Sequence, residues 1–151
     1  MITFREARRE DVPAIVGLLA DDLLGVGRET APLETYQAAF DRIAAVPGML
    51  LIVGEIDGRV IGTYQLAILP GLSLGGTTRG LIEAVRVASD WRSQGFGALL
   101  MADAEARARA AGATLLQLTT HQSRERVHRF YERLGFTASH IGYKRALTPQ
   151  E

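Results

Sequence analysis

The residues best suited to chemistry stand in the run Arg92, Ser93, Gln94, Gly95, Phe96, Gly97 and Ala98, where two glycines sit at the entrance to a helix-forming segment. The start of a helix presents N–H groups without intrahelical partners and about half a positive charge, so it attracts anions. Glycine leaves no Cβ between an anion and that backbone. Arg92, three residues before Gly95, adds a permanent cation in the same turn. The run therefore suits a phosphate or diphosphate. A dinucleotide fingerprint would need a further glycine at position 100, and that position holds Leu100. Taken alone, the pattern is also that of a plain structural turn.

Acid–base candidates lie on either side of this run. Glu83 interrupts the apolar stretch "LIEAVRVA"; in an unbroken strand it shares a face with Val85 and Val87, whereas a bulge would turn it outward. His121, just past a leucine-rich strand, is a second candidate base. Asp21, Asp22 and Glu29 flank a glycine-containing turn and could recognise a cationic substrate. His128 and His140 read as surface residues.

These residues need a scaffold, and the hydrophobic pattern supplies one. Ile2 to Glu6 reads as a short strand. "EDVPAIVGLLADDLLG" reads as a helix, with Asp11 as cap, Pro13 in the first turn and Ile15, Leu18, Leu19 and Leu23 as its apolar stripe. A second helix is predicted from Leu33 to Val46, stopped by Pro47-Gly48. Two strands, "MLLIVGEI" and "RVIGTYQLAIL", are joined by Asp57-Gly58, a dipeptide that accepts the positive φ angles of a tight hairpin. A glycine-rich loop leads to strand 81–88, a turn at 89–94, a helix over 95–111 closed by Gly112, and strand 114–120. Together these form a βαβ crossover, and the continuous leucines of "ATLLQLTT" suggest a buried parallel neighbour. "SRERVHRFYERLG" is a helix ending at Gly135, and "FTASHIGYKRAL" reads as one or two closing strands.

Composition narrows the function classes. A chain of 151 residues with 47% hydrophobic content fits a single domain spanning 1–151. Its 17 basic and 17 acidic side chains cancel, which disfavours nucleic acid and acidic membrane surfaces as partners. There is no cysteine and hence no disulfide or thiolate metal site, and Lys144 as sole lysine excludes a P-loop lysine. The start "MITFREARRED" lacks a secretory apolar run, and no stretch approaches the ~18 apolar residues of a membrane span. A cytoplasmic location is the expectation.

With "RSQGFG" at 92–97 and "RFYERLGF" at 129–136 in this order of elements, the chain resembles the GCN5-related N-acetyltransferases, the GNAT family. The resemblance implies a mixed-sheet α/β fold of order β-α-α-β-β-β-α-β-α-β(β), with parallel strands around 81–88 and 114–120 splayed apart at one end. It also implies acetyl-CoA as cosubstrate and no metal. Carried over, the main-chain amides of Arg92 to Ala98 would hold the pyrophosphate, and the main chain of Val85 and Val87 would meet the pantetheine arm. The Val87 N–H would polarise the thioester carbonyl. Tyr131 would supply a proton to the departing thiolate, and Glu83 would accept one from the amine. Many members carry an asparagine where this chain has Arg124; an arginine only donates, so Arg124 is assigned to a cofactor phosphate and Ser123 to the helix cap.

The implied activity is acetyl transfer to a primary amine of a small molecule or peptide, by direct attack in a ternary complex. The short C-terminus leaves open an acceptor pocket completed by a second subunit in a homodimer. A non-catalytic acyl-CoA sensor is the alternative, and an interaction domain without cofactor is a third.

Overall fold

The computed structural model describes residues 1–22 and 24–149; the stripe position Leu23 lies outside them. The elements are β1 (Thr3–Glu6), α1 (Val12–Ala20), α2 (Leu33–Ala44), β2 (Met49–Ile56), β3 (Arg59–Leu69), one helical turn α3 (Ser73–Gly76), β4 (Arg79–Val87), α4 (Phe96–Ala110), β5 (Leu115–Leu118) and α5 (Glu125–Arg133). Contacts group the chain into two compact units, Met1–Leu118 and Thr119–Glu151.

The first unit is a mixed five-stranded sheet in the order β1-β2-β3-β4-β5. Its first three pairings are antiparallel and β4 with β5 is parallel. The hairpin between β2 and β3 turns at Asp57 (φ 49°) and Gly58 (φ 78°), the left-handed pair that the sequence predicts. Side chains alternate between faces. Leu51, Thr63 and Gln65 look toward α1 and α2. Gly62 and Gly80 face α4, where a Cβ would stand 3.1 Å from Leu100 and 3.1 Å from Ala108 respectively, so glycine there lets the helix lie close to the sheet. Leu100, Met101, Ala104 and Ala108 form the buried stripe of α4. Tyr64, fully buried in β3, donates to Asp103 Oδ2 at 2.6 Å, and Asp103 accepts from Arg107 Nε at 2.8 Å, which fixes α4 on the sheet.

Three expectations are corrected. β5 is parallel to β4 but is an edge strand, with Leu115 41% exposed, so its leucines do not mark a strand buried on both sides. No closing strand forms among the described residues 136–149. A strand requires a hydrogen-bonded partner edge, and Ile141, Tyr143 and Leu147 stay exposed. Asp11 stands at the N-cap of α1, yet its carboxylate does not cap that helix. It instead accepts from the Arg8 N–H at 2.7 Å and pairs with Arg5 Nη1 at 2.7 Å, while Arg5 also reaches Glu55 at 3.0 Å.

This network gives a pH prediction. The Arg5 guanidinium holds the Asp11 carboxyl below the ordinary aspartate range, against the opposing effect of burial. Because the folded-state pKa is depressed, the stabilisation is present above the unfolded value of about 3.9 and is lost as pH falls through the folded value. Chemical denaturation at a series of pH values should therefore show Asp11→Asn less stable than wild type at neutral pH. That gap should close below about pH 4. A gap that stays constant with pH would remove the Arg5–Asp11 pair as its cause.

Candidate active site

The candidate site is built where β4 outruns β5. Their ladder covers only Arg79–Ile82 against Leu115–Leu118, so from Glu83 onward β4 keeps β3 on one edge and, among the described residues, has no strand on the other. Within that stretch the β3 register shifts: Thr63 faces Arg86 and Gln65 faces Glu83, leaving Tyr64 opposite both Ala84 and Val85. Ala84 carries the extra residue of this β-bulge at φ 53°, a left-handed conformation that alanine adopts only under tertiary constraint.

The bulge settles the alternatives left open for Glu83. Residues directly opposite share a face, so Glu83 beside Gln65 and Arg86 beside Thr63 lie on the α1/α2 side. Val87, opposite Gly62, lies on the α4 side. Glu83 therefore does not share a face with Val87. It is exposed, as is Ala84, whereas Val85, Arg86 and Val87 are half-buried.

Beyond Val87 the chain makes a turn at Ser89–Trp91 and enters α4 through Ser93 (φ 61°) and Gly95 (φ 86°). Among the described residues no side chain caps α4, and the space where a Gly95 Cβ would sit is empty to 4 Å. A turn with left-handed residues can aim neighbouring N–H groups into one concavity, and the helix adds its first turn of free donors. Trp91 and Phe96 close the two ends of the turn in an edge-to-face contact at 5.2 Å. Arg92 does different work from the expected anion-binding cation. Its Nε donates to the Val87 carbonyl at 3.0 Å and its Nη2 to the Asp21 carbonyl at 2.6 Å, bracing the turn against β4 and the end of α1. The Val85 carbonyl likewise accepts from Arg86 Nη1 at 2.9 Å. Each carbonyl retains a second lone pair.

Between α1, α2 and the sheet lies a cavity of about 140 Å³ that reaches the bulge at Ala84. Tyr36 on its rim donates to Glu29 Oε2 at 3.0 Å. Behind the rim, Arg86 Nε and Asp22 Oδ2 approach to 3.1 Å with side chains only 14% and 11% exposed, and Asp22 Oδ1 accepts from the Gly25 N–H at 2.5 Å. Sequence reasoning missed Tyr36, Gln65 and Arg86. Arg86 had a legible signal: a cation inside an apolar strand must find a buried partner.

Tyr131 and Arg124 belong to the second unit. Tyr131 is half-buried, with Phe130 and Phe136 at ring-centre distances of 5.1 Å and 5.9 Å. Arg124 itself occupies the N-cap of α5 and makes no side-chain cap bond. Ser123 is not the cap; its hydroxyl meets His121 Nδ1 at 2.7 Å, and its N–H donates to the same nitrogen at 3.2 Å. These contacts give His121 a local structural use. The His128 Nε2–H donates to the His121 carbonyl at 3.0 Å, so His128 is half-buried and engaged rather than a free surface residue.

Residues 13–136 match the Acetyltransferase (GNAT) family. The aminoalkylphosphonate N-acetyltransferase of Salmonella typhimurium is 29% identical over 143 residues, covering 95% of this chain and 90% of that protein. The glucosamine 6-phosphate N-acetyltransferase of Trypanosoma brucei brucei is 34% identical over 122 residues, covering 78% and 80% respectively. Among solved structures, a Bacillus halodurans C-125 protein described as a transcriptional regulator superposes with a TM-score of 0.93 at 39% identity, covering 97% of this chain and all of that one.

Proposed function

Because the chain belongs to the GNAT acetyltransferase family, whose members use acetyl-CoA, we propose that it moves the acetyl group of acetyl-CoA to the primary amine of a small molecule by direct attack in a ternary complex. One observation carries this reading. An uncapped helix entered through a left-handed Gly95 lies next to a strand that has lost its lateral partner, so diphosphate donors and peptide-like pairing groups are presented together.

The residues present fit the cosubstrate. The amides of Ser93, Gln94, Gly95, Phe96, Gly97 and Ala98 would hold its pyrophosphate, with Arg92 bracing the turn and contributing through its main chain. The open edge of β4 at Val85 and Val87 would pair with the pantetheine amides, and the Val87 N–H would stabilise the charge that grows on the carbonyl oxygen. Arg124 would meet a phosphate. When bound, acetyl-CoA supplies an activated acyl group on a sulfur leaving group.

An amine with a pKa near 10.4 is about one part in a few thousand free base at neutral pH, so a proton acceptor is needed. Glu83 takes that role as the carboxylate beside the bulge. The C–N bond forms as the C–S bond breaks; Glu83 would take the ammonium proton before attack and pass it to solvent, then take the second proton from the nitrogen after attack, while the Tyr131 phenol would offer its own to the sulfur and be reprotonated from solvent. A phenol near 10 and a thiol near 8.5 make full transfer uphill by roughly 2 kcal/mol, so Tyr131 acts first by hydrogen bonding, with transfer late or concerted. Its assignment rests on the "RFYERLGF" motif. We extend the same reading to a single functional domain and a cytoplasmic location.

Calorimetry with coenzyme A tests the cradle, and thiol release from acetyl-CoA across an amine panel tests the transfer. No heat at millimolar coenzyme A would overturn the site. The relative described as a transcriptional regulator favours a second reading, a non-catalytic acyl-CoA sensor. That reading requires coenzyme A binding with no amine-dependent thiol release.

A further inference from the structure

We infer that the cavity between α1, α2 and the sheet receives an apolar arm of the amine acceptor, about one benzene ring in size, so that the acceptor is an arylalkyl- or branched alkylamine. The inference rests on the acetyl-transfer reading above. At about 140 Å³ the cavity is close to the roughly 150 Å³ of a dry protein cavity that holds benzene. Ile15, Leu19, Phe40, Ile43 and Leu51 make its wall.

Two polar residues that border it are already satisfied elsewhere. The Thr63 hydroxyl donates to the Ile52 carbonyl at 2.8 Å, and the Tyr36 hydroxyl donates to Glu29 at 3.0 Å. The interior therefore gains most from an apolar occupant, with Gln65 left at the edge.

Charge at the mouth fixes which substrate enters. Ala84 lines the cavity at the bulge, and its neighbour Glu83 lies on the same face as Gln65. Glu29 accepts from the lining residue Tyr36, which brings a second carboxylate next to that side chain. Two carboxylates suit an ammonium ion whose substituent points inward; an uncharged acyl group has no use for them. No cationic side chain lines the cavity among the described residues, and Arg86 on the same face is engaged by Asp22. A phosphorylated or phosphonylated amine would find no counter-charge there and would meet two like charges.

The test uses the full chain and acetyl-CoA, with thiol release measured for ethylamine, 3-methylbutylamine, benzylamine, 2-aminoethylphosphonate and glucosamine 6-phosphate. A fitted methylene in an apolar pocket is worth roughly tenfold, and 3-methylbutylamine carries three more carbons than ethylamine, so its kcat/KM should exceed that for ethylamine by roughly 1,000-fold. Ala39→Phe fills the cavity from α2 and should erase this preference while ethylamine turnover persists. Ala39→Val, a smaller insertion, should reduce the preference if the phenylalanine variant does not fold.

Preference for either phosphorus-containing amine overturns the inference, as does an arm preference that survives both substitutions. So does a cavity variant that alters the choice among acyl-CoA chain lengths instead of amines. Absence of thiol release with every amine overturns the acetyl-transfer reading instead. The cavity is then judged by a benzylamine-induced rise in melting temperature, expected in wild type and absent in Ala39→Phe; no rise in wild type overturns it.

Discussion

Tyr131→Phe is expected to lower kcat by about 10²–10⁴-fold, the usual contribution of a positioned proton donor, while coenzyme A affinity stays at the wild-type level. The substitution removes one hydroxyl and keeps the ring, so the contacts at 5.1 Å with Phe130 and 5.9 Å with Phe136 persist. Thiol release under saturating acetyl-CoA measures kcat, and calorimetry with coenzyme A measures affinity. Glu83→Gln should also lower turnover, but its defect should shrink as pH approaches the pKa of the amine, because free base then no longer requires an enzymic proton acceptor. The Tyr131→Phe defect should not be rescued in that way. A Tyr131→Phe enzyme within about threefold of wild type would show that the ring merely packs, since even modest acid catalysis exceeds that factor.

The second large effect is on stability. Asp22→Ala leaves the Arg86 guanidinium without its carboxylate at a place where its side chain is only 14% exposed. Removing one member of a buried pair costs about 3–5 kcal/mol, and the residual exposure argues for about 3. For a chain of this size that corresponds to a fall in melting temperature of roughly 6–12 °C. Arg86→Met in the same background should recover most of the loss, because it removes the stranded charge rather than restoring a contact. Asp22 Oδ1 also accepts from the Gly25 N–H, so the single variant should additionally loosen the loop leading to Glu29 and raise KM for the acceptor. Thermal melts of the single and double variants decide this, and a single variant as stable as wild type would show the pair to be energetically idle.

What could be read from the sequence follows the range of the interactions concerned. The Asp57-Gly58 hairpin, the span of β3, the stop of α2 before Pro47-Gly48 and the glycine start of α4 all depend on a few neighbouring residues, and the structure bears them out. Family membership was legible for a related reason. The motifs at 92–97 and 129–136 each encode a local backbone shape, and both fall within the residues that match the family.

The site needed more. Nothing in "LIEAVRVA" states that Ala84 takes a positive φ, because that follows from how β3 registers against β4. The bulge then decides which face Glu83 occupies. The leucines of β5 could not reveal an edge position, since a run of apolar residues records desire for burial and not the number of neighbours that supply it. The closing strands did not form among the described residues, where Ile141, Tyr143 and Leu147 stay exposed, and the Asp11 cap failed because Arg5, on another element, engages the same carboxylate.

By itself the sequence determined the order of elements as far as α5 and the glycine start of α4, which are carried by local backbone preference and periodicity, while the class of chemistry came from the resemblance of its two motifs to a known family. The tertiary structure alone decided the face on which Glu83 stands, the partner of Arg86, the brace made by Arg92 and the volume beneath α1 and α2. Those depend on residues distant in the chain meeting across strands and helices, and pairing over such distances is set by register and packing rather than by any short run of residues.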